Sequence, residues 1–334
     1  MAEINPNLIS ALIKAGLIET AEDATFEALT GGVSSDIWKI ITPERVFCVK
    51  QALSKLKVEA DWYAPVERNE FEVAWYSIAS DLVPGAAPAI LMQDKVGMMF
   101  AMDFLDTNTH KLWKSELRDG RVDIQAAEQV GALLAKVHSG TVGDAAVAKQ
   151  FPYTGIFHAI RLEPYLEATA NKHPDLKDQL LGLSKRTADT KLCMIHGDVS
   201  PKNILLGPNG PVFLDAECAC MGDPAFDLAF CLNHFLLKCL WTPASTPEFL
   251  LSYDAMVKSY LVGVDWEAPN DLEARAASLL PGLFLVRVDG KSPVEYITDE
   301  DNKNKVRRCA RASLGTPPTK LSDVRATWKK ELMT

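Results

Sequence analysis

Residues 193–230 read Cys-Met-Ile-His196-Gly-Asp198-Val-Ser-Pro-Lys-Asn203-Ile-Leu-Leu-Gly-Pro-Asn-Gly-Pro-Val-Phe-Leu-Asp215-Ala-Glu217-Cys-Ala-Cys-Met-Gly222-Asp223-Pro-Ala-Phe-Asp227-Leu-Ala-Phe. The apolar groups Met194-Ile195, Ile204-Leu205-Leu206 and Val212-Phe213-Leu214 read as short buried strands, so the polar residues between them sit on tight loops held by rigid elements. An Asp two residues after a His, an amide five residues later and an acidic pair after the next strand gather carboxylate and amide oxygens in one small volume. Oxygen-rich sets of this kind suit Mg²⁺, which keeps waters and shares its other positions between one or two carboxylates and a nucleotide's phosphates. An Asp with no metal partner can then act as base toward a hydroxyl. His196 and Asp227 read as architectural, since buried polar groups in such loops usually satisfy backbone groups.

The run His196-Gly-Asp198-x-x-x-x-Asn203, followed by a strand, Asp215 and the tail Gly222-Asp223-Pro-x-x-Asp227, resembles the catalytic loop of the aminoglycoside phosphotransferase and choline kinase superfamily, a relative of the protein-kinase H-R-D-x-x-x-x-N loop. The resemblance implies that Asp198 is the catalytic base, Asn203 a metal ligand and Asp215 the counterpart of the kinase D-F-G aspartate, with Glu217 a further candidate for the metal. It also implies an α+β, bilobal, protein-kinase-like fold. Residues 1–103 would form a nucleotide-binding lobe with a mainly antiparallel sheet, and 104–334 a mostly helical catalytic and acceptor-binding lobe. ATP and Mg²⁺ are the implied cofactors, and a small-molecule hydroxyl is the implied acceptor.

Composition narrows the alternatives. The 334 residues are 48% hydrophobic, ample for one large or two moderate domains. A net charge of −9 and a pI near 5.3 argue against a nucleic-acid surface and against an anionic membrane. The N-terminal stretch Met-Ala-Glu-Ile-Asn-Pro-Asn has neither the basic nor the apolar region of a secretory signal. The apolar tract from Ala225 to Trp241 is broken by Asp227, Asn233, His234 and Lys238 and is too short and polar to span a bilayer. Seven scattered cysteines without a C-x-x-C pair read as reduced thiols of a cytoplasmic protein. Homodimerisation is compatible with these features.

Toward the N-terminus, residues 4–19 carry apolar groups at helical spacing and read as an outer helix covering one lobe. Gly31-Gly32-Val33-Ser34-Ser35 then reads as a turn leading into a strand, paired through Pro43-Glu44 with a second strand ending at Lys50. Such a turn lets backbone N–H groups approach phosphate oxygens. A lysine ending an apolar strand needs an anionic partner, and in the kinase plan it reaches the phosphates and pairs with a helix glutamate. The helix from Val66 to Leu82 offers Glu67, Glu70 and Glu72. Glu72 is preferred because Trp75, Tyr76 and Ile78 place it beside the buried face, with Glu70 the close alternative. Val96 to Leu105 reads as the last strand of the small lobe, and in a kinase-like hinge the backbone from Met102 to Phe104 would hold adenine.

The stretch Lys50-Gln-Ala-Leu, leading to Trp62 and to an Arg-containing helix start at Arg68, resembles the methylthioribose kinase branch of the superfamily, as do the Asp215-x-Glu217 pair and Arg307-Arg308. That similarity implies a sugar-like acceptor contacted by Trp62, Arg307 and Arg308. The presence of Asn203 and the chain length depart from the branch. Arg287, Asp289 and Lys291, where an apolar helix runs into a polar loop, are further candidates to line an acceptor pocket. Arg161 and Glu163 could face the cleft but have no motif behind them, and His138 reads as a satisfied structural histidine. Aminoglycoside, choline or homoserine acceptors fit the superfamily too. Two readings from other classes are a metal-dependent hydrolase built on His196, Asp198, Asp215 and Glu217, and a catalytically silent nucleotide-binding module.

Overall fold

The computed structural model describes residues 4–29, 34–55, 65–152 and 155–334. Its first part is a five-stranded antiparallel sheet with the order β1-β2-β3-β5-β4. The strands are β1 (Thr25–Leu29), β2 (Ser35–Ile41), β3 (Val46–Ala52), β4 (Ile90–Asp94) and β5 (Met99–Asp103). The expected hairpin is β2–β3, with Ile37 opposite Lys50 and Ile41 opposite Val46. Two strands had no readable signal. β1 is an edge strand with almost every residue exposed, and β4 is half-buried along its whole length, so neither shows the period of two that marks a one-sided strand.

Helix α1 (Pro6–Lys14) is capped by the Asn5 side chain, which accepts from the Asn7 N–H, and begins with Pro6. It is shorter than its apolar pattern, because Gly16 at φ +68° turns the chain away. Leu8 and Leu12 bury it on one face of the sheet against Trp38, Ile40, Phe47, Val49, Met99 and Ala101. Helix α2 (Arg68–Leu82) crosses between β3 and β4, and its Phe71, Trp75 and Tyr76 join the core of the helical part instead. Trp75 meets the His196 ring edge-on at 4.8 Å and the Phe213 ring at 5.7 Å. α2 therefore presents one flank to the sheet and the other to the loop that starts at His196.

The remainder is mostly helical. After the short strand β6 (Lys111–Leu112) come α3 (Trp113–Arg118), α4 (Ile124–Ser139) and α5 (Ala145–Gln150). A π-helical stretch, His158–Glu167, with Pro164 inside it, runs into α6 (Ala168–Lys172), and α7 (Lys177–Asp189) follows. Proline removes an N–H and crowds the preceding turn, so widening the helix there is a way to keep the chain continuous. The predicted strands appear as β7 (Cys193–Ile195), β8 (Ile204–Gly207) and β9 (Gly210–Phe213), with β10 (Cys220–Gly222) pairing β7. α8 (Pro224–Trp241) is buried from Pro224 to Cys239 and forms the axis of the core. α9 (Thr246–Val262), α10 (Pro269–Asp289), α11 (Glu300–Gly315) and α12 (Leu321–Glu331) complete the lobe. Among the described residues no helix is long and apolar enough to cross a membrane.

Candidate active site

β7 delivers His196, Gly197 and Asp198, and Asp227 in the first turn of α8 fixes the bend. Asp227 accepts from the backbone N–H of His196 at 2.7 Å and of Gly197 at 2.8 Å. Gly197 has φ +76°, and a Cβ there would lie 2.8 Å from Cys218, so the position takes only glycine comfortably. His196 is fully engaged. Its Nδ1 accepts from the Asp198 N–H at 3.2 Å and its Nε2 donates to the Leu214 carbonyl at 3.1 Å. Burial holds the ring below the usual imidazole range, against the pull of Asp227 and Asp198. Both residues are architectural, as is His138, which bridges Tyr260 and Asp227.

The carboxylate of Asp198 is arranged asymmetrically. Oδ2 accepts from Asn203 Nδ2 at 2.8 Å and lies 2.7 Å from Arg161 Nη2 and 3.1 Å from Lys202 Nζ. Oδ1 is buried without a partner among the described residues. Burial alone would raise this carboxyl, but Arg161 and Lys202 hold it below the ordinary aspartate range. Asn203 spends its Nδ2 on Asp198, which turns its Oδ1 away from that carboxylate.

Asp215 stands in the left-handed region at φ +64°, a conformation that costs an aspartate about 1–3 kcal/mol. Two contacts hold it there. The Asp215 N–H donates to the Tyr76 hydroxyl at 2.7 Å, and Oδ1 accepts from Lys50 Nζ at 2.6 Å. Lys50 also meets Glu72 at 2.7 Å, and Tyr76 donates to Glu72 at 2.9 Å. One buried ammonium thus serves two carboxylates of opposite fate. Burial and the Asp215 charge push Glu72 up to about 7 against the pull of Lys50, while Lys50 and Lys202 outweigh burial to hold Asp215 well down. Glu70, the alternative partner, pairs with Lys95 at the surface.

Arg68, fully buried, was noted in the sequence only as a helix-start arginine. It donates to the carbonyls of Ser34 at 2.5 Å, Leu53 at 2.6 Å and Pro65 at 2.8 Å, and to Glu217 Oε2 at 3.0 Å. It therefore ties the base of the Ser34-Ser35 turn to the Asp215-x-Glu217 motif. Ser34 and Ser35 are both buried at that base. Gly31, Gly32 and Trp62 lie outside the described residues. At the sheet exit, Met102 is half-buried against the large core and the Phe104 ring lies under Lys39 Nζ at 5.0 Å.

The proposed acceptor residues separate. Arg287 is buried beside Tyr165, donating to its hydroxyl at 3.2 Å and to the Ser292 carbonyl at 2.6 Å. Asp289 is taken by His173 at 2.9 Å and Arg307 at 2.7 Å, a tie between α10 and α11. Arg308 pairs with Glu331 of α12, and Glu163 pairs with Lys291. None of the described contacts joins Asp289, Arg307 or Arg308 to the Asp198 cluster. Arg161, which could face the cleft by sequence but had no motif behind it, is joined to it directly.

The donor set fits Mg²⁺. Among the described residues no group of three or more His, Cys, Asp and Glu side chains is placed to hold a metal. An ion shared with nucleotide phosphates needs only one or two protein oxygens. Asp215 retains a second carboxylate oxygen and Asn203 its Oδ1, and the two residues are locked together by the Leu214 N–H donating to the Asn203 carbonyl at 2.8 Å.

A sheet lobe over a helical lobe, with a Lys–Glu pair above and an Asp/Asn loop and second Asp below, defines the class of protein-kinase-like phosphotransferases. The APH phosphotransferase enzyme family model matches residues 25–271, and the chain belongs to that family. Methylthioribose kinase from Yersinia pseudotuberculosis serotype O:3 (strain YPIII) is 26% identical over 220 residues, covering 57% of this chain and 53% of the relative. The matched region thus spans about half the length of the curated relatives. The solved ethanolamine kinase of Plasmodium vivax superposes with a TM-score of 0.55 at 16% identity, over 93% of this chain and 87% of that one. Amicoumacin kinase hAmiN, in complex with AMP-PNP and Ca²⁺, gives 0.55 at 13% identity over 95% and 96%. At these identities the structures speak to the fold.

Proposed function

We propose that the protein moves the γ-phosphoryl group of ATP to a hydroxyl of a small, sugar-like metabolite, with the nucleotide between two lobes that divide near residue 103. The observation that carries the reading is the Asp198 carboxylate, with Oδ2 held by Asn203, Arg161 and Lys202 and Oδ1 left unpartnered. An acceptor hydroxyl donating to Oδ1 would be aimed at the phosphorus. Its oxygen bonds to the γ-phosphorus as the bond to the β–γ bridging oxygen breaks, the proton passes to Asp198, and ADP leaves. A carboxylate held below its normal range is a weak base, but in a loose phosphoryl transfer the proton moves late and orientation matters more than basicity. Lys50, positioned by Glu72, would hold phosphate oxygens. Asp215 and Asn203, with the remaining oxygen of Glu217, would hold Mg²⁺, which supplies charge neutralisation at the phosphates. The backbone near Met102 and Phe104 would take the adenine, and the Gly31-Gly32-Ser34-Ser35 turn the phosphates.

The nucleotide and divalent ion in the hAmiN complex support the cofactor part, and the name of the Yersinia relative supports the sugar-like acceptor. The test is ADP release with Mg²⁺-ATP against methylthioribose, other pentoses and hexoses, choline, homoserine and aminoglycosides, with Asp198→Ala as control. Release that depends on one acceptor class and vanishes in the control is expected. Turnover without ATP that survives Lys50→Ala would replace this reading with the hydrolase.

A further inference from the structure

Beyond Arg161, on its side away from Asp198, lies a second cluster that the phosphoryl-transfer machinery does not use. Tyr165 sits between two guanidinium groups, with Arg161 Cζ 5.8 Å and Arg287 Cζ 5.7 Å from its ring centroid. Its ring stacks on Phe230 of α8, and Phe230 meets His234 edge-on at 5.6 Å. One turn further along α8 is Lys238, 1% exposed. Its ammonium lies 5.3 Å from the Trp241 ring centroid and 5.1 Å from that of Tyr296, and makes no hydrogen bond or ion pair with a described residue. Three other side-chain atoms here are buried with no hydrogen-bond partner among the described residues: His234 Nε2, Arg287 Nε and the Tyr296 hydroxyl.

Unpaired buried donors are costly, more so when charged, and a fold that keeps several side by side is arranged for something that accepts. The charges agree. Burial and the positive charges of Lys238, Arg287, Lys202 and Lys114 together hold His234 well below the usual imidazole range. Lys202 and Arg161 are matched by Asp198, and Lys114 pairs with the exposed Glu295. That leaves Lys238 and Arg287 without an ion-pair partner among the described residues, in a chain whose net charge is −9.

We infer that this cluster is an anion subsite of the acceptor pocket, and that the acceptor is a hydroxylated compound carrying a carboxylate or phosphate group held by Lys238, Arg287 and His234 while its hydroxyl meets Asp198. The inference rests on Asp198 being the acceptor-side residue. It deepens the sugar-like reading toward sugar acids and sugar phosphates, and makes neutral methylthioribose a poor substrate. It also disfavours quaternary ammonium acceptors. The stacked Trp241–Tyr296 pair, 4.2 Å apart, is the kind of surface that attracts such cations, but Lys238 already places its own ammonium over both rings.

Matched acceptors test this in the full chain: ribose, ribonate and ribose 5-phosphate; glycerol, glycerate and glycerol 3-phosphate; and choline. With Mg²⁺-ATP, kcat/KM for one anionic member should exceed that of its neutral counterpart at least tenfold. The carboxylate and phosphate arms show which anion is read. Lys238→Met should abolish the preference mainly through KM, and Arg287→Lys should weaken it. Thermal shift without nucleotide provides a second readout. The same anion should stabilise the wild type and Asp198→Asn, and fail to stabilise Lys238→Met. Equal or better turnover of neutral or cationic acceptors, or no anion-dependent stabilisation that Lys238→Met removes, overturns the inference. ATP consumption with a neutral acceptor leaves the kinase reading standing, whereas absence of ATP binding sinks that reading independently.

Discussion

Arg161 holds Asp198 from one side only, with Nη2 at 2.7 Å from Oδ2 and no described partner on Oδ1. The guanidinium is itself clamped, with Nε donating to the Gly197 carbonyl at 2.8 Å and Nη1 to the Ile160 carbonyl at 2.7 Å. It therefore fixes the rotamer of the carboxylate as well as its charge. Arg161→Ala should lower kcat by about 10²-fold, the scale of removing one well-placed charged partner, with KM for ATP little changed. The acidic limb of the pH–rate profile should move up in pH, because burial then acts on Asp198 with less opposition. An acidic limb that stays in place would show that Arg161 does not set the Asp198 charge.

Tyr76 couples the α2 glutamate to the Asp215 backbone through one hydroxyl. Tyr76→Phe leaves the Asp215 N–H and a Glu72 oxygen short of a partner and should cost about 1–3 kcal/mol of stability. Urea denaturation measures it. The same variant should raise KM for Mg²⁺-ATP, since the strained Asp215 conformation loses one of its two supports.

Glu72 inverts the usual carboxylate pH behaviour. Its carboxyl rises from 4.5 to about 7 on folding, chiefly through burial, so between those values the folded chain holds a proton that the unfolded chain releases. Stability contributed by this group is full below pH 4.5 and is lost as pH rises toward 7. Glu72→Gln should remove that slope, and melting temperatures of the two proteins measured from pH 5 to 8 should lie close together at the acid end and separate toward the alkaline end, the wild type falling below the variant. Parallel curves would show that Lys50 keeps Glu72 ionised throughout.

Lys238 should be a stability liability. Burial, with Lys114 and Arg287 adding to it and Glu295 and Cys231 opposing, pushes its ammonium down to about 7. Between pH 7 and 10.5 the unfolded chain binds the extra proton, so stability rises with pH through that window, and the full cost is present below it. Lys238→Met should therefore stabilise the protein at pH 6 by about 1–3 kcal/mol, as removal of buried charge often does, with the gain shrinking toward pH 10. Calorimetric melting across that range checks it, and a destabilised variant at pH 6 would contradict it.

The loop chemistry was legible because it is local. Asp198, Asn203, Asp215 and Asp227 lie within 30 residues, bounded by apolar runs that can only be short buried strands. Lys50 could be given an α2 glutamate because a buried ammonium requires an anion, and Trp75 and Tyr76, marking the buried face of α2, favoured Glu72 over Glu70, the choice the structure makes. Glu217 was read as a metal ligand from its place beside Asp215, and that reading could not foresee Arg68 taking one of its oxygens. Arg307 and Arg308 looked like a functional pair, but a helix points adjacent residues in different directions. One meets Asp289 and Glu300, the other Glu331.

By itself the sequence determined the kinase-like fold class, the tight loop from His196 to Asp215 and the need for an α2 glutamate beside Lys50, since hydrophobic period, turn chemistry and close spacing act within a short stretch of chain. Only the tertiary structure decided what surrounds Asp198. Arg161, Tyr165, His234, Lys238 and Arg287 come from a π-helical stretch and two later helices, and the first and last of them are more than a hundred residues apart in the chain. In the sequence Arg287 was one of three candidates to line an acceptor pocket, Arg161 could face the cleft without a motif behind it, and His234 and Lys238 were polar interruptions in an apolar run. Their common property, a concentration of buried donors without acceptors, exists only once packing has excluded the water that would otherwise satisfy them.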